Sequence, residues 1–369
     1  MSVYIHKIAT SVPPQAYEQG FLRERMKSAF PGERHTQAII HRVYNQSGIE
    51  RRYSVVDDLT AEPTRHFFFM PDGSVASPST AERNRRFTEY APRLIADVGR
   101  QLVGALPDCK AEDVTHVVTV SCTGFFAPGP AYVAVRELGL SPRTKRLHIG
   151  FMGCFAAFQG LQVARSICVE DPDAVVLMIC LELCTLHLHF SRDPDALVSG
   201  ALFADGAAGA LVSARTPVPG GRVYRLEQFA TAISPNSEND MAWTIGDEGF
   251  DLVLSQYVPA VLESNVRESL APLLASCGVD FADVGLWAVH PGGRAILEKI
   301  QSGLELEPAQ LEASRSVLRD YGNMSSATIL FVLDKMLGDA DEEDDKLVLA
   351  MAFGPGLTIE SALLTQLRA

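Results

Sequence analysis

The sequence has little that would indicate a membrane protein, a disulfide scaffold or a metal site. Its longest apolar run, residues 174–181, is flanked by acidic residues and is far too short to cross a bilayer. The seven cysteines are spread along 369 residues without the close pairs that bind zinc. The opening segment has no apolar core of signal-peptide length. We therefore expect a soluble cytoplasmic protein that binds neither a membrane nor a metal ion.

The sequence also has fewer basic residues than acidic ones. The chain has 32 Lys and Arg against 45 Asp and Glu, for a formal net charge of -13. Polyanions attract basic surfaces, so we expect no nucleic-acid partner. Because 47% of the residues are hydrophobic and 21% are charged, the composition is that of an ordinary globular protein with a substantial core.

What the sequence does contain is a series of short apolar or β-branched runs that alternate with helix-length segments. This alternation predicts an α/β protein with buried central sheets. The predicted strands start at His116, Ala174, Ala207, Leu286 and Lys346, and the clearest helices start at Cys154 and Ser325.

The segment TPVPGGR, residues 216–222, is the best candidate for a boundary inside the chain. Its prolines and adjacent glycines interrupt both helices and strands. We therefore expect an N-terminal half at 1–218 and a C-terminal half at 219–369. Their similar strand and helix content is compatible with an old duplication.

Cys154 lies in LHIGFMGCFAAFQG, where an apolar strand runs into Gly153 and a helix is predicted at or just after the cysteine. A sulfur at a helix N-terminus faces unsatisfied N–H groups, which favour the thiolate over the thiol. Glycine permits the sharp turn that such a position needs. The alternative role is that of a small buried hydrophobic residue, which is the usual fate of a cysteine. The other cysteines lack this placement, and local context favours packing roles for them.

His290 ends a predicted strand in WAVHPGGRAI and is followed at once by a proline and two glycines. Those residues end the strand and open a loop at the edge of a sheet, where functional groups are commonly presented. A lone histidine can equally be structural. His187 and His189 alternate on an extended segment without a thiol or acidic partner at metal-binding spacing, so we interpret them as packing or pocket-lining residues.

Asn323 follows a glycine in DYGNMSSATILF, just before a helix that is predicted to start near Ser325. Taken alone, it is most simply a helix cap. Together with a cysteine and a histidine at similar junctions, it becomes the third member of a catalytic set. In AFGPGLTIE, Gly354 and Pro355 form a tight turn that approaches either a neighbouring loop or the active-site cavity.

Considered together, these motifs resemble those of the chalcone and stilbene synthase superfamily, the type III polyketide synthases. The resemblance covers most of the chain and includes motifs in the same order as in that superfamily: SGIERRYSV, SCTGFFAPG, GCFAAF, GALFADGAAGAL, HPGGRAIL, YGNMSSATILFVLD and FGPGLTIE.

The resemblance implies a thiolase fold, a five-layered αβαβα arrangement of two similar halves, normally a homodimer. It implies that Cys154 carries the acyl group and that His290 and Asn323 are its partners. The substrates would be an acyl-CoA and malonyl-CoA. Because decarboxylation of malonyl-CoA supplies the carbanion, the resemblance implies no metal or redox cofactor. In this mechanism an adjacent imidazolium would stabilise the Cys154 thiolate, while the ring N–H of His290 and the amide of Asn323 would stabilise the enolate.

The same resemblance implies a set of substrate contacts. Phe203 corresponds to an aromatic gatekeeper between the CoA tunnel and the cavity, and Arg42 to a contact with the CoA phosphates. The remaining positions assigned to the substrate site are Cys122, Thr123, Trp243, Leu252, Gly354 and Pro355.

Several positions depart from the plant members of that superfamily. Leu252 replaces a second gatekeeping phenylalanine, and Trp243 stands where a glycine lines the starter pocket. Ala127 replaces a methionine that reaches the partner subunit's cavity, and two lysines near Arg42 are absent. These changes argue against a bulky aromatic starter. We expect an aliphatic, long-chain acyl starter and an alkylpyrone or alkylresorcinol-type product.

Two other kinds of enzyme share a cysteine, a histidine and an asparagine. A ketoacyl-ACP synthase III would perform a single condensation that depends on a carrier protein, whereas NMSSAT and FGPGLTIE favour the polyketide enzyme. A papain-like hydrolase would need its own cysteine signature, which the sequence lacks. A non-catalytic binding protein is disfavoured because all three polar residues are present.

Overall fold

The computed structural model describes residues 1–60, 63, 65–106, 109–234, 237, 240–255, 257–338 and 345–368. The α-helices of these residues are α1 Gln19–Ser28, α2 Arg34–Gln46, α3 Thr80–Leu102, α4 Pro130–Glu137, α5 Ala156–Glu170, α6 Pro194–Leu202, α7 Val258–Cys277, α8 Arg294–Leu304, α9 Glu312–Tyr321 and α10 Thr328–Gly338. The strands are β1 Tyr4–Ser11, β2 Gln15–Glu18, β3 Arg51–Ser54, β4 His116–Ser121, β5 Lys145–Gly150, β6 Val175–Leu183, β7 Asp205–Ser213, β8 Arg222–Ile233, β9 Met241–Gly246, β10 Gly249–Leu254, β11 Leu286–Val289, β12 Lys346–Gly354 and β13 Thr358–Arg368.

The strands expected from the apolar runs are all present, and β4 matches its predicted bounds at both ends. Glu182 was expected to flank the apolar run at 174–181. It lies inside the strand instead, as the eighth residue of β6. The helix expected at Cys154 begins two residues later, at Ala156. The helix expected at Ser325 begins as a 3-10 turn, Ser325–Ala327, that continues into α10.

Nine strands form one mixed sheet in the order β11-β12-β13-β8-β1-β7-β6-β4-β5. Strands β4, β5 and β6 are parallel to one another, as are β11 and β12. The other pairs in this sheet are antiparallel. Strand β1 belongs to the part of the chain before residues 216–222, and β8 to the part after them. Two residue pairs between β1 and β8 join these two parts into one sheet.

Strands β6, β7 and β12 of this sheet are buried along nearly their whole length because helices cover both of its faces. Along β6, Val175 and Leu177 pack into one cluster while Val176 and Met178 pack into another. Strand β12 divides its residues in the same way between two clusters. One hydrophobic cluster therefore lies between the two halves of the sheet and contacts both. Each half has a further cluster on its outer side.

The middle cluster contains the two helices that position the functional site, α5 and α10. Both are buried between the two halves of the sheet, and seven residues of α10 are buried. Helix α3 covers the outer side of β1, β6 and β7, and α7 covers the outer side of β8 and β13. The resulting order of layers, helix, strand, helix, strand, helix, confirms the predicted fold class. None of the helices in the described part of the chain is long and apolar enough to cross a membrane.

Candidate active site

Cys154, His290 and Asn323 line one cavity of about 70 Å³. Cys154 follows β5, His290 follows β11 and Asn323 follows α9, so the two halves of the chain both contribute. Their convergence on one cavity was predicted from the sequence, although nothing local to any of the three residues requires it. The cavity wall is predominantly apolar, and Phe353 and Ile296 contribute to it.

Cys154 sits in the turn between β5 and α5. Gly153 has a φ of +89°, which an L side chain rarely adopts, and a Cβ there would lie 2.3 Å from Cδ of Pro355. This glycine is therefore required both by the turn and by the close approach of the 354–356 segment. The backbone N–H of Gly153 donates to Sγ of Cys122 at 3.0 Å.

The burial of Cys154 works against the resting thiolate that the sequence predicts. Burial raises the pKa of its thiol to about 11, and hydrogen bonds from the Ser325 and Asn323 side chains offset only part of this change, while the charge of Glu182 adds to it. Cys154 lies ahead of the first helical residue and Phe155 makes no side-chain cap, so the helix terminus does not overcome burial. Burial therefore opposes the resting thiolate that the helix N-terminus was expected to favour, and the charge state of Cys154 stays a prediction.

His290 is 1% exposed and is held by its backbone, whose N–H donates to the carbonyl of Met351 at 2.8 Å. Burial lowers the pKa of its imidazole to about 3, which disfavours the imidazolium expected beside a Cys154 thiolate. Both ring nitrogens are buried and have no hydrogen-bond partner within the described residues. One nitrogen can therefore accept a proton while the other donates to a substrate oxygen.

Asn323 has a carboxamide whose orientation follows from its neighbours. Its Oδ1 accepts a hydrogen bond from the backbone N–H of Ser325 at 2.9 Å, and a backbone N–H can only donate. The amide nitrogen is therefore free to donate towards Cys154, with which the Asn323 side chain also interacts. The positive φ of Gly322, +73°, brings the chain to this position against the alkyl stem of Arg52.

Two further polar residues belong to the site but were not singled out from the sequence. Ser325 lines the cavity and hydrogen bonds to Cys154. Glu182 is fully buried and accepts hydrogen bonds from the backbone N–H of Cys122, from the hydroxyl of Thr123 at 2.8 Å and from the hydroxyl of Ser326 at 2.5 Å. A charged residue inside an apolar strand was the available signal.

Glu182 joins three segments around the cavity: the end of β4, its own strand β6 and the 3-10 turn before α10. Burial raises the pKa of its carboxyl to about 7, although these hydrogen bonds favour the charged form. The carboxyl therefore changes charge near neutral pH.

Most of the predicted substrate-binding residues line the same cavity as Cys154: Cys122, Thr123, Phe203, Trp243, Leu252 and Pro355. Gly354 lies just behind it, since a Cβ there would be 3.5 Å from the backbone nitrogen of Cys154 and 2.5 Å from the Phe155 ring. Arg42 is exposed on α2, donates to Oε1 of Gln46 at 3.3 Å and lines neither this cavity nor the second one described next.

A second cavity of about 400 Å³ adjoins the first. Four residues line both cavities and so form the wall between them: Cys184, Phe203, Trp243 and Leu252. Apolar side chains such as Leu22, Met26 and Phe190 line much of the second cavity. Its polar lining includes Arg52, whose guanidinium donates to the carbonyl of Phe203 at 2.6 Å.

The wall is held in place by Trp243. Its indole Nε1–H donates to the carbonyl of Cys122 at 3.0 Å, and the ring lies edge-on to His187 and Phe250. A large, hydrogen-bonded aromatic side chain is a rigid partition. Within the described residues, no cluster of three or more histidine, cysteine and acidic side chains could hold a metal ion.

The layered mixed sheet, with its two central helices directed at one cavity, defines an enzyme of the thiolase fold. Comparison with known families agrees. Chalcone and stilbene synthases, N-terminal domain, match residues 3–216, and chalcone and stilbene synthases, C-terminal domain, match residues 225–368. The chain therefore belongs to the chalcone and stilbene synthase family; it is a type III polyketide synthase and hence an acyltransferase.

Individual relatives are similar over nearly the whole chain. The alpha-pyrone synthesis polyketide synthase-like Pks18 of Mycobacterium tuberculosis is 32% identical over 99% of this chain and 91% of its own length. The probable polyketide synthase 1 of Dictyostelium discoideum is 28% identical over 98% of this chain, which spans 11% of that much longer protein.

Solved structures show the same fold. PKS-I from the brown alga Ectocarpus siliculosus superposes with a TM-score of 0.92 at 30% identity, covering 99% of this chain and 98% of its own. The C-terminal type III polyketide synthase domain of Steely1 from Dictyostelium superposes with a TM-score of 0.89 at 27% identity over the full length of both chains.

Proposed function

We propose that this enzyme condenses an acyl-CoA starter with several malonyl-CoA units by decarboxylative Claisen condensation on Cys154. The linear product then cyclises to an alkylpyrone or an alkylresorcinol-type compound. The observation that carries the proposal is that a cysteine, a histidine and an asparagine whose Oδ1 already accepts a backbone hydrogen bond line one cavity.

Loading begins from a neutral pair. His290 takes the thiol proton as Sγ of Cys154 attacks the starter thioester, and the departing CoA sulfur takes that proton back. The acyl group is then bonded to sulfur, and no net charge has been created in the buried cavity. A neutral imidazole suits this step because an imidazolium could not accept the proton.

Extension requires an enolate. Malonyl-CoA loses carbon dioxide, and negative charge develops on its thioester oxygen. The ring N–H of His290 and the amide of Asn323 donate to that oxygen, and each donor accelerates the step by on the order of 10²–10³-fold. The enolate carbon attacks the acyl carbon on Cys154, the S–C bond breaks and Cys154 leaves as a thiolate, which takes a proton from solvent. The lengthened chain is now a thioester of the CoA that carried the malonyl unit and can reload Cys154 for another cycle.

The second cavity supports an aliphatic, long-chain starter. Its volume of about 400 Å³ has room for a long acyl chain, whereas the 70 Å³ cavity does not. Phe203, Trp243 and Leu252 form the wall between the two cavities. The apolar part of its lining, which includes Leu22, Met26 and Phe190, favours hydrocarbon, while Arg52 and Asp195 are among its charged residues. The relative Pks18 is described by its name as an alpha-pyrone synthesis enzyme, which agrees with an alkylpyrone product.

Further parts of the proposal concern assembly and partners. The two halves, 1–218 and 219–369, each contribute one side of the active site, and the enzyme acts as a homodimer with CoA thioesters as its substrates and no added cofactor. Arg42 contacts the CoA phosphates from the outer face of α2, where its exposure suits a screened ion pair with a large anion.

The test is to incubate purified enzyme with malonyl-CoA and a series of acyl-CoAs from two to about twenty carbons, with an aromatic acyl-CoA alongside, and to identify products by mass spectrometry. We expect products containing several malonyl-derived units, with the highest kcat/KM for long aliphatic starters. Preference for short or aromatic starters would contradict the starter assignment. A single condensation that requires an acyl carrier protein would contradict the polyketide reaction itself.

A further inference from the structure

The strands β9 and β10 form a hairpin that carries two residues of the wall between the cavities. Trp243 and Leu252 face each other directly in its register. Within the described residues, neither strand of this two-stranded sheet pairs with another strand. An isolated hairpin is marginally stable by itself, so side chains from elsewhere must hold it in place.

Two histidines of the LHLHF segment hold the hairpin at Phe250. The backbone N–H of Phe250 donates to Nδ1 of His187 at 3.1 Å, and the carbonyl of Phe250 accepts from Nε2 of His189 at 3.0 Å. His187 ends a 3-10 turn, Cys184–His187, and does not lie on the extended segment that the sequence predicts, yet both histidine side chains reach Phe250 of β10. Together they satisfy both backbone polar groups of one residue, as a neighbouring strand would.

His187 makes a second connection that reaches the active-site wall. Its Nε2 donates to the carbonyl of Thr123 at 2.8 Å, and Thr123 lines the cavity that contains Cys154. Since Nδ1 accepts and Nε2 donates, the ring is the neutral Nε2–H tautomer. Its face stacks on the Phe250 ring, with centroids 4.0 Å apart.

A buried arginine supports this segment from behind. Arg83 of α3 is 1% exposed and donates to the carbonyls of Leu186 and Leu188 at 2.6 and 3.0 Å. Those carbonyls flank His187, so the guanidinium fixes the backbone from which the histidine side chain projects. A Cβ on Gly249 would lie 3.0 Å from Nε of Arg83, which shows how closely the hairpin packs on the same group.

From these contacts we infer that His187 and His189 form a clamp on Phe250 that sets the position of Trp243 and Leu252 and thereby determines starter selectivity. Both histidines also line the second cavity, and we class them as positioning residues because they hold Phe250 of the hairpin and do not contact the reacting atoms. The inference rests on the proposed function only in assuming that the wall between the cavities faces the acyl chain.

The test uses substitutions that keep one hydrogen-bonding atom and remove the other. An asparagine places its Oδ1 near the position of a histidine Nδ1, and a glutamine places its Nε2 near that of a histidine Nε2. His187→Asn therefore keeps the bond from Phe250 and loses the bond to Thr123, while His187→Gln does the reverse. His189→Gln keeps the bond to the Phe250 carbonyl, and His189→Asn loses it.

Two measurements report on the clamp. Hydrogen exchange followed by mass spectrometry measures protection of residues 241–254, and the ratio of kcat/KM for a long and a short acyl-CoA measures selectivity. Malonyl-CoA decarboxylation serves as a reference because its proposed donors, His290 and Asn323, lie outside the hairpin on other segments of the chain. His6 of β1 is a matched control, since it is a half-buried histidine whose Nε2 hydrogen bonds to the hydroxyl of Ser213 at 2.8 Å, far from the hairpin in sequence.

We expect His187→Gln and His189→Asn to lose protection in the hairpin and to change the selectivity ratio by about fivefold, the effect of one hydrogen bond. His189→Gln and His6→Gln should stay within about twofold of the native enzyme, with decarboxylation retained in all of them. Native exchange and selectivity in both clamp-breaking variants would overturn the inference, as would equal loss in His6→Gln. The hydrogen-exchange results do not depend on which starter the native enzyme prefers. The clamp and the proposed long-chain starter can therefore fail separately.

Discussion

Phe203 and Asn323 are paired through their backbones as an isolated parallel bridge. The N–H of Asn323 donates to the carbonyl of Leu202 at 3.0 Å, and the N–H of Ala204 donates to the carbonyl of Asn323 at 2.9 Å. The residue that lies between the two cavities and the residue whose amide faces Cys154 are thus fixed to each other. This backbone bridge therefore fixes the position of the Phe203 wall and the position of the Asn323 amide together.

Replacing Asn323 with alanine tests the role of its amide. The change removes one donor to the developing enolate, so we expect malonyl-CoA decarboxylation to fall by about 10²–10³-fold while Cys154 is still slowly acylated. Release of labelled carbon dioxide measures the first step, and mass spectrometry of the acyl-enzyme measures the second. Cys154→Ala is the companion variant and should abolish condensation. Native decarboxylation in Asn323→Ala would show that the amide has no such role.

The protonation state of Cys154 can be read from its reactivity. Because burial raises the pKa of this thiol to about 11, the thiolate fraction is small at neutral pH and increases as the pH rises through that value. We expect the rate of alkylation by iodoacetamide at Cys154 to keep increasing up to at least about pH 9 to 10. Quantitative peptide mass spectrometry gives the rate, with Cys277 as an internal reference. A rate that is already constant from pH 6 upwards would indicate a resting thiolate and imidazolium pair.

Glu182 makes stability depend on pH in a specific direction. Burial raises the pKa of its carboxyl from 4.5 to about 7, so between these values the unfolded chain is ionised while the folded protein keeps the proton. The contribution of this group to the unfolding free energy therefore falls by about 3 kcal/mol in total as the pH rises across this interval. Above the interval this contribution is constant.

Glu182→Gln should remove that dependence. We expect the difference in unfolding free energy between the native protein and the variant, measured with urea at several pH values, to change between about pH 4.5 and 7 and to be flat above. Because the charge of Glu182 also raises the pKa of Cys154, alkylation of Cys154 in the variant should shift to lower pH. Parallel stability curves for the two proteins would contradict the assigned pKa.

Trp243 should control passage between the cavities. Trp243→Ala removes the indole that separates them, so bulky aromatic starters should gain about tenfold in kcat/KM relative to a medium-chain aliphatic starter. Trp243→Phe keeps most of the partition but loses the hydrogen bond to Cys122, and should remain closer to the native selectivity. An unchanged starter profile in Trp243→Ala would mean that this side chain does not limit the substrate.

Much of this protein was predictable from local sequence. Apolar runs predicted the strands, and the glycines beside Cys154 and Asn323 indicated sharp turns at the ends of regular elements. Those features are local because strand propensity and backbone freedom are properties of neighbouring residues. The ordered motifs then supplied the family, which the domain matches confirm.

Tertiary structure decided the rest. The positions of Ser325 and Glu182 beside Cys154, and of two histidines beside Phe250, depend on contacts between segments far apart in the chain. The pKa values depend on tertiary structure in the same way, since burial by the whole fold raises the pKa of the Cys154 thiol and lowers that of the His290 imidazole. Sequence thus determined which chemical groups are present and where the chain turns, whereas the fold determined their neighbours, their charge and the cavities between them.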